Sequence, residues 1–414
     1  MDPRLRRMAA AYETCELRAR DHAEALRHEL GTVLLPQHVE GYVPTASALH
    51  ELLDAQFWRL AHWRCASHEI NYRRFFEIND LIGLRMEDEQ VFQATHRLLA
   101  ELLTHDAIDG VRVDHVDGLL APEAYLRGLR ELGARRVWVE KILAADEDLP
   151  ASWPVEGTTG YEFGADVAGL FAYRPHRRVM TRTARRFVPR RGPFAEEVHR
   201  SKRMIMTTKL AGELERLAHE LDRMSEGDFH TRDFTRQSLR DALVEIIAAF
   251  PRYRTYLPHG REEARAVIET AVARATVHNR EIDPSVYAFI GRVLLDERPR
   301  QAARQAAWVG RFQQYTAPVT AKGVEDTAFY RDHRLCALNE VGGDPATFGT
   351  SARRFHARAR ERAARWPANL LATSTHDSKR GEDLRARLDV LSENPAAWED
   401  ALLRMSGWAQ LYVT

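Results

Sequence analysis

Cysteine is scarce in this chain. Three occur in 414 residues, Cys15, Cys65 and Cys336, far apart and in no C-x-x-C or Cys/His grouping. This excludes a disulfide framework and argues against a zinc site, and it fits reduced thiols in a cytoplasm. Net charge is missing too, because 60 Lys+Arg balance 60 Asp+Glu. Without a global positive field to neutralise phosphates, the composition argues against a generic nucleic-acid binder. No apolar run approaches the ~18 residues of a membrane span. The stretch MDPRLRRMAAAYETCELRARDHAEALRHEL is dense in both charges and has no apolar h-region, so no signal peptide is expected. Lysine is rare: only Lys141, Lys202, Lys209, Lys322 and Lys379 occur, and the other basic residues are Arg. That skew reads as coding bias, and it marks each remaining Lys.

The apolar fraction is 44%, ample for a core and too high for a disordered chain. At ~150 residues per domain, the length predicts two or three domains. Residues 1–30 read as an amphipathic helix, 36–44 as a Pro/Gly loop, and Ser47–Trp63 as a helix. Asn71–Asp80 (NYRRFFEIND) reads as a loop, and Glu89–Leu103 as a helix by its 3.6-residue period.

The clearest fold signal lies between 109 and 140. DGVRVD alternates with period two, placing Val111 and Val113 on one face and Arg112 and Asp114 on the other. Pro122 suits the first turn of a helix through Leu132, and Gly133 suits its C-terminal cap. RVWVE at 136–140 is a second strand, which completes a strand–helix–strand unit with parallel strands. From 163 to about 310 helical periods dominate, as in Leu210, Leu214, Leu217, Leu221, Met224 and in Leu239, Leu243, Ile246, Phe250. Strand character returns at Tyr315–Thr320 and at Asn369–Ser374, and 380–412 reads as helical. The fold class predicted is α/β: a partial TIM-type (β/α) barrel carrying a large all-α inserted subdomain. Its expected segments are a mainly helical 1–108, a βαβ part 109–162, an all-α insertion 163–310, and later barrel strands with helices 311–414.

In a parallel barrel, catalytic groups sit at the C-terminal ends of strands. Asp114 ends one strand, Glu140 ends the next, and His376-Asp377 follows the last apolar run. Such carboxylates suit a retaining glycosidase, where one attacks the anomeric carbon and a second, kept protonated, serves as acid and then base. The two must stand ~5–5.5 Å apart, which neighbouring strands supply. Arg112, two residues before the nucleophile, would hold it ionised and oriented. A single Asp at a strand end is more often a helix cap or a solvated loop residue, which is the reading for Asp109 and Asp117. The conjunction of Arg112, Asp114, Glu140, His376 and Asp377 supports the catalytic reading.

Here a resemblance is visible. DGVRVDHVDGL, VWVEKIL and ATSTHDSKRGED resemble three conserved regions of the α-amylase superfamily. EINYRRFFEINDLIGLRME, EKILAADEDLPASWPVEGTTGYEF, APVTAKGVEDTAFYR and LNEVGGDP are similar to the maltooligosyltrehalose synthase family within it. The likeness runs from about Leu49 to the end of the sequence. It implies an intramolecular transglucosylation, in which the reducing-end α-1,4 linkage of a maltooligosaccharide becomes an α,α-1,1 linkage. Asp114 would be the nucleophile, Glu140 the acid/base and Asp377 the transition-state stabiliser. His115 and His376 would bind sugar hydroxyls near the cleavage point. The freed glucose must stay in place and water must stay out. Tyr72 and Arg74 in NYRRFF, Tyr161 in TTGYEF, Lys322 and Glu325 in AKGVEDT, and Lys379 are the further candidate substrate contacts. Neither a metal nor a cofactor is expected, and a cytoplasmic location is.

The superfamily's first conserved region, Asp-x-x-x-Asn-His, has no counterpart before Asp114, and only four barrel strands are expected, ending near 114, 140, 320 and 374. The chain therefore reads as a fragment, without the early barrel strands and the C-terminal β-domain. Open alternatives are one half of a split enzyme completed by a complementary chain or by self-association, an α-glucan hydrolase of the same superfamily, and a non-catalytic glucan-binding remnant.

Overall fold

In a computed structural model, the chain is described over residues 61–188, 192–297 and 301–412, together with 50 and 53–55. The helix expected over 1–30, the loop at 36–44, Cys15 and most of Ser47–Trp63 lie outside these residues. The chain divides into two compact units, Met1–Ile82 and Gly83–Thr414.

In the first unit a one-turn helix α1 (Ala66–Glu69) precedes strands β1 (Arg74–Phe75) and β2 (Ile78–Ile82), which pair antiparallel. The loop expected over Asn71–Asp80 is thus a hairpin. Its aromatic residues are good strand formers, and the charges around them mask the alternation. Phe75 and Phe76 meet edge to face at 4.6 Å.

The second unit opens with α2 (Glu89–Thr104), whose N-terminus is capped by Asp88 accepting from the Gln90 N–H. Strand β3 (Val111–Val113), helix α3 (Pro122–Glu131) and strand β4 (Val137–Val139) follow as the alternation predicts. Pro122 stands in the first turn of α3, and Gly133 takes the left-handed conformation just after it, at φ +101°. β3 and β4 are parallel, with Val111 opposite Val137 and Val113 opposite Val139. A short β5 (Gly157–Thr158) adds parallel to β4, giving the order β3-β4-β5. Val113, Val137 and Val139 pack with Leu126 and Leu129 of α3 and with Leu149 and Trp153 of the loop after β4.

Most of the remaining elements are helical: α4 (Tyr161–Phe171), α5 (Arg177–Phe187), α6 (Phe194–Thr207), α7 (Ala211–Ser225), α8 (Arg236–Ala248), α9 (Arg261–His278), α10 (Pro284–Leu295) and α11 (Ala302–Thr320). A π-turn (Ala321–Glu325), α12 (Ala352–Arg365), α13 (Glu382–Glu393) and α14 (Pro395–Gln410) complete the chain. The helices from α6 to α11 share one apolar core, with Trp308 and Phe312 of α11 wholly buried against Leu214, Ile246, Ile268 and Ile290. Two helix-to-helix bonds pin α11: Trp308 Nε1 donates to Leu217 O (2.9 Å), and Tyr315 Oη to Leu210 O (2.8 Å).

Two expected strands are not strands. Tyr315–Thr320 is the last turn and a half of α11, because Trp308, Phe312, Tyr315 and Val319 step by four, three and four and all are buried. Asn369–Ser374 has no regular structure. It runs beside β5, where Leu370 N donates to Thr158 O (3.3 Å). The Asn369 side chain accepts from Thr158 N (2.5 Å), taking the amide that a strand partner's carbonyl would use. The described structure is therefore mostly helical, with one three-stranded parallel sheet and one hairpin.

Candidate active site

The parallel register carries past the strands, since Glu140 N donates to Val113 O (2.8 Å). Asp114 and Glu140 thus leave neighbouring strands at the same level, one residue beyond each C-terminal end. Arg112, on the same face as Asp114, grips it through two contacts: Nε to Oδ1 at 2.9 Å and Nη2 to Oδ2 at 3.1 Å. Glu140 sits differently. Its side chain is 14% exposed, against 51% for Asp114. Burial pushes its carboxyl up from the ordinary glutamate value, and the nearby Asp377 and Asp114 carboxylates push the same way. The His115 N–H, 2.6 Å from Glu140 Oε2, opposes them.

That donor depends on an unusual backbone. His115 adopts the left-handed conformation, φ 49° and ψ 45°, which few non-glycine residues take. Its ring lies on Gly118, where an added Cβ would fall 2.3 Å from His115 Cδ2. Gly118 is thus the residue type that lets the imidazole fold over the loop.

The third carboxylate arrives from far along the chain. The Tyr161 hydroxyl, at the start of α4, reaches both Asp377 Oδ2 (3.1 Å) and Glu140 Oε1 (3.3 Å). His376 Nε2 stands 3.5 Å from Asp377 Oδ2 and 3.7 Å from Glu140 Oε1. Burial and the two carboxylates raise the Tyr161 phenol, so it stays a donor. Ligand atoms of Glu140, His376 and Asp377 lie within 4.8 Å of one another, a spacing that a cation could bridge. Tyr161 donates into the same two carboxylates, which makes the cluster a hydrogen-bonded surface for hydroxyl groups.

A second tier surrounds these groups. Lys379 Nζ (2.6 Å) and Lys322 Nζ (2.9 Å) both bind Asp326, a residue the sequence reading passed over although it lies inside AKGVEDT. Beside it, the buried Glu325 carboxyl has one oxygen with no hydrogen-bond partner, and burial pushes the group up to about 8. Lys379 N also donates to Glu340 Oε2 (2.6 Å), which fixes the loop carrying His376 and Asp377. Tyr161, Thr375 and Ser378 also line a cavity of about 1080 Å³.

The structure therefore brings together Arg112, His115, Glu140, Tyr161, His376 and Asp377, with Asp114 beside Glu140. Glu325, Lys322 and Lys379 follow around Asp326. Tyr72 and Arg74 belong to the first unit and have local partners there: Tyr72 Oη donates to Asn79 O (2.9 Å), and Arg74 Nη1 to Asn79 Oδ1 (2.5 Å). Asp117, expected to cap a helix or sit in solvent, is buried. It pairs with Lys141 (3.2 Å), which in turn pairs with Glu147 (3.0 Å). Only the rarity of Lys pointed toward Lys141.

No family model matches the chain. It is 38% identical over 372 residues to a putative maltooligosyl trehalose synthase of Mycobacterium tuberculosis, a match covering 89% of this chain and 45% of that protein. It also superposes on the maltooligosyltrehalose synthase structure from Arthrobacter ramosus at 40% identity and TM-score 0.78, covering 90% of this chain and 46% of the other. The chain is thus similar in sequence and in fold to maltooligosyl trehalose synthases. It spans about half the length of the curated relatives it matches. A structure described as a DSM5389 glycosyltrehalose synthase matches at 32% identity and TM-score 0.72 over 94% of this chain and 46% of its own. Among the described residues, no helix is long and apolar enough to cross a membrane.

Proposed function

We propose that this chain carries the catalytic carboxylates of an intramolecular transglucosylation that turns the reducing-end α-1,4 linkage of a maltooligosaccharide into an α,α-1,1 linkage. The observation that carries this reading is the contrast between two neighbouring strand ends: Asp114 is ion-paired with Arg112, while Glu140 is buried and pushed toward its protonated form. Asp114 attacks the anomeric carbon as Glu140 gives its proton to the departing 4-oxygen, leaving a glycosyl-enzyme. Glu140 then takes the proton of the released glucose's anomeric hydroxyl, whose oxygen attacks the same carbon on the face opposite Asp114, breaking the Asp114–sugar bond and returning the Asp114 carboxylate. Asp377, His376 and Tyr161 hold hydroxyls of the distorted sugar. Lys322, Glu325 and Lys379 are the proposed contacts to the glucose that turns, and the adjoining cavity has room for it. His115 lies against the cleavage point.

In this proposal β3, β4 and β5 belong to a partial (β/α) barrel to which 109–162 and the part of 311–414 beyond α11 contribute, while the helical insertion from 163 extends through the end of α11 at Thr320. A complementary chain or a second copy is the proposed source of further strands, and the cytoplasm is the proposed setting, where Cys65 and Cys336 stay free thiols. A second reading, α-glucan hydrolysis, is favoured by the exposure of Asp114 and Asp377, about half of each side chain.

The deciding experiment is incubation with maltopentaose while reducing ends are counted. Loss of reducing ends without free glucose supports the transglucosylation, gain supports hydrolysis, and no change overturns both for the chain on its own.

A further inference from the structure

The loop between β3 and α3 is held from outside in an unusual way. Its four successive carbonyls at Asp117, Gly118, Leu119 and Leu120 all accept from side chains of the helical region. Arg254 Nη1 donates to Asp117 O (2.7 Å) and Leu119 O (2.6 Å), and its Nη2 to Leu120 O (3.5 Å). Gln314 Nε2, from α11, donates to Gly118 O (3.0 Å). Arg254 is 1% exposed, so its guanidinium has left water to hold main-chain oxygens. A buried guanidinium is costly unless its donors are used. Here Nε is used as well, on Thr255 O (3.0 Å), and the group lies over the Tyr256 ring at 5.1 Å. Tyr256 Oη donates to Asp117 Oδ1 (2.5 Å), the same Asp117 that pairs with Lys141.

This clamp begins two residues after His115, whose left-handed backbone aims its N–H at Glu140. We propose that Arg254 is a positioning residue for Glu140: with Gln314 and Tyr256 it fixes the 115–120 loop, and so holds the His115 N–H on the Glu140 carboxyl. The helical region then does more than cover the strand ends, because it sets the geometry of the acid/base. The proposal rests on the transglucosylation reading only for the chemistry that Glu140 performs. The geometric claim stands apart from it.

Glu140 is faced by Asp114, by the His115 N–H, by Tyr161, by His376 and Asp377, and by the more distant Glu325. The His115 N–H is the donor that Arg254 controls. Carbon-13 labelled glutamate lets the Glu140 carboxyl be titrated by NMR in the intact chain, assigned with Glu140→Gln. In Arg254→Met the Glu140 midpoint is expected to rise by about half to one pH unit, as an N–H donor to the charged form is lost. Arg254→Lys keeps the charge but not the fork, and Gln314→Leu changes no charge. Both are expected to raise the midpoint as well, by less, which separates positioning from loss of a positive charge. Arg252→Met, in the same loop but bound to Glu263 and Asp146 O, is expected to leave it in place. With maltopentaose, kcat of the Arg254 variants is expected to fall about tenfold while KM changes less than twofold.

A Glu140 midpoint unchanged in Arg254→Lys and Gln314→Leu, with a native near-ultraviolet spectrum, overturns the proposal even if Arg254→Met fails to fold. A raised midpoint in a chain that leaves maltopentaose untouched supports the clamp and removes the transglucosylation reading instead.

Discussion

Around Trp308, helices α6 to α11 bury Phe312, Leu214, Ile246 and Ile268 with no charge among those side chains. Around Glu140, almost every contact passes through a carboxylate, an imidazole, a phenol or a main-chain amide. The first region is ordered by apolar area, at roughly 25 cal/mol per Å² removed from water. The second gathers three like-charged groups and a left-handed residue, arrangements that repel or strain when taken alone. The difference teaches where each residue's work lies. The helical region supplies surplus packing, and through Arg254 and Gln314 it supplies donors to the loop beside the carboxylates.

This contrast can be broken at several points. The largest effect is expected from Asp114→Asn, which removes the proposed nucleophile and should lower maltopentaose conversion by at least about a thousandfold. Its melting temperature should stay within a few degrees of wild type, and a large drop would mean that Asp114 holds the fold rather than the chemistry. Trp308→Ala tests the other side. Emptying a fully buried indole site is expected to lower stability by about 3–5 kcal/mol in urea unfolding. The pH profile of whatever activity remains should keep its shape, and a shifted profile would show that the two regions are not separable.

Tyr161→Phe is expected to lower kcat by roughly ten- to a hundredfold with no loss of stability, since the hydroxyl joins Glu140 and Asp377 while the ring stays buried. Unchanged kcat would make the bridge incidental. The smallest effect concerns Asp389 on α13, a buried aspartate with one oxygen lacking a partner, pushed by burial up to about 7. Its raised folded value means that the native state keeps a proton the unfolded chain releases above its ordinary value of 3.8. The fold is therefore penalised as pH rises from about 4 to about 7, and the penalty is constant above that. Asp389→Asn should raise the melting temperature by a few degrees at pH 8 and leave it unchanged at pH 3.5. Equal effects at both pH values would remove the titration argument.

The sheet and its helix were legible because their signals are local: valines alternate in DGVRVD, Pro122 opens α3 and Gly133 closes it. Tyr315–Thr320 misled because six residues are too few to separate a buried strand from the end of a buried helix. Including Trp308 and Phe312 restores the helical period. Asn369–Ser374 looked like a strand by composition, and what decided otherwise was an Asn side chain bonding to an amide 211 positions away. Asp114, Glu140 and His376-Asp377 could be picked out by type and by resemblance. The Tyr161 bridge, the pairing of Lys379 with Asp326 and the burial of Asp117 with Lys141 join separate segments that no spacing rule encodes, whereas Lys322 and Asp326 stand at the i, i+4 helical spacing.

The bond from Tyr161 to Asp377 joins residues 216 positions apart. At about 5–20 residues per second, a ribosome takes roughly 10–40 s to travel that distance. The strand ends and the left-handed loop can emerge and begin to fold in that interval, yet the third carboxylate does not exist. The three-carboxylate cluster is thus completed only after the helices between Tyr161 and Asp377 have been made.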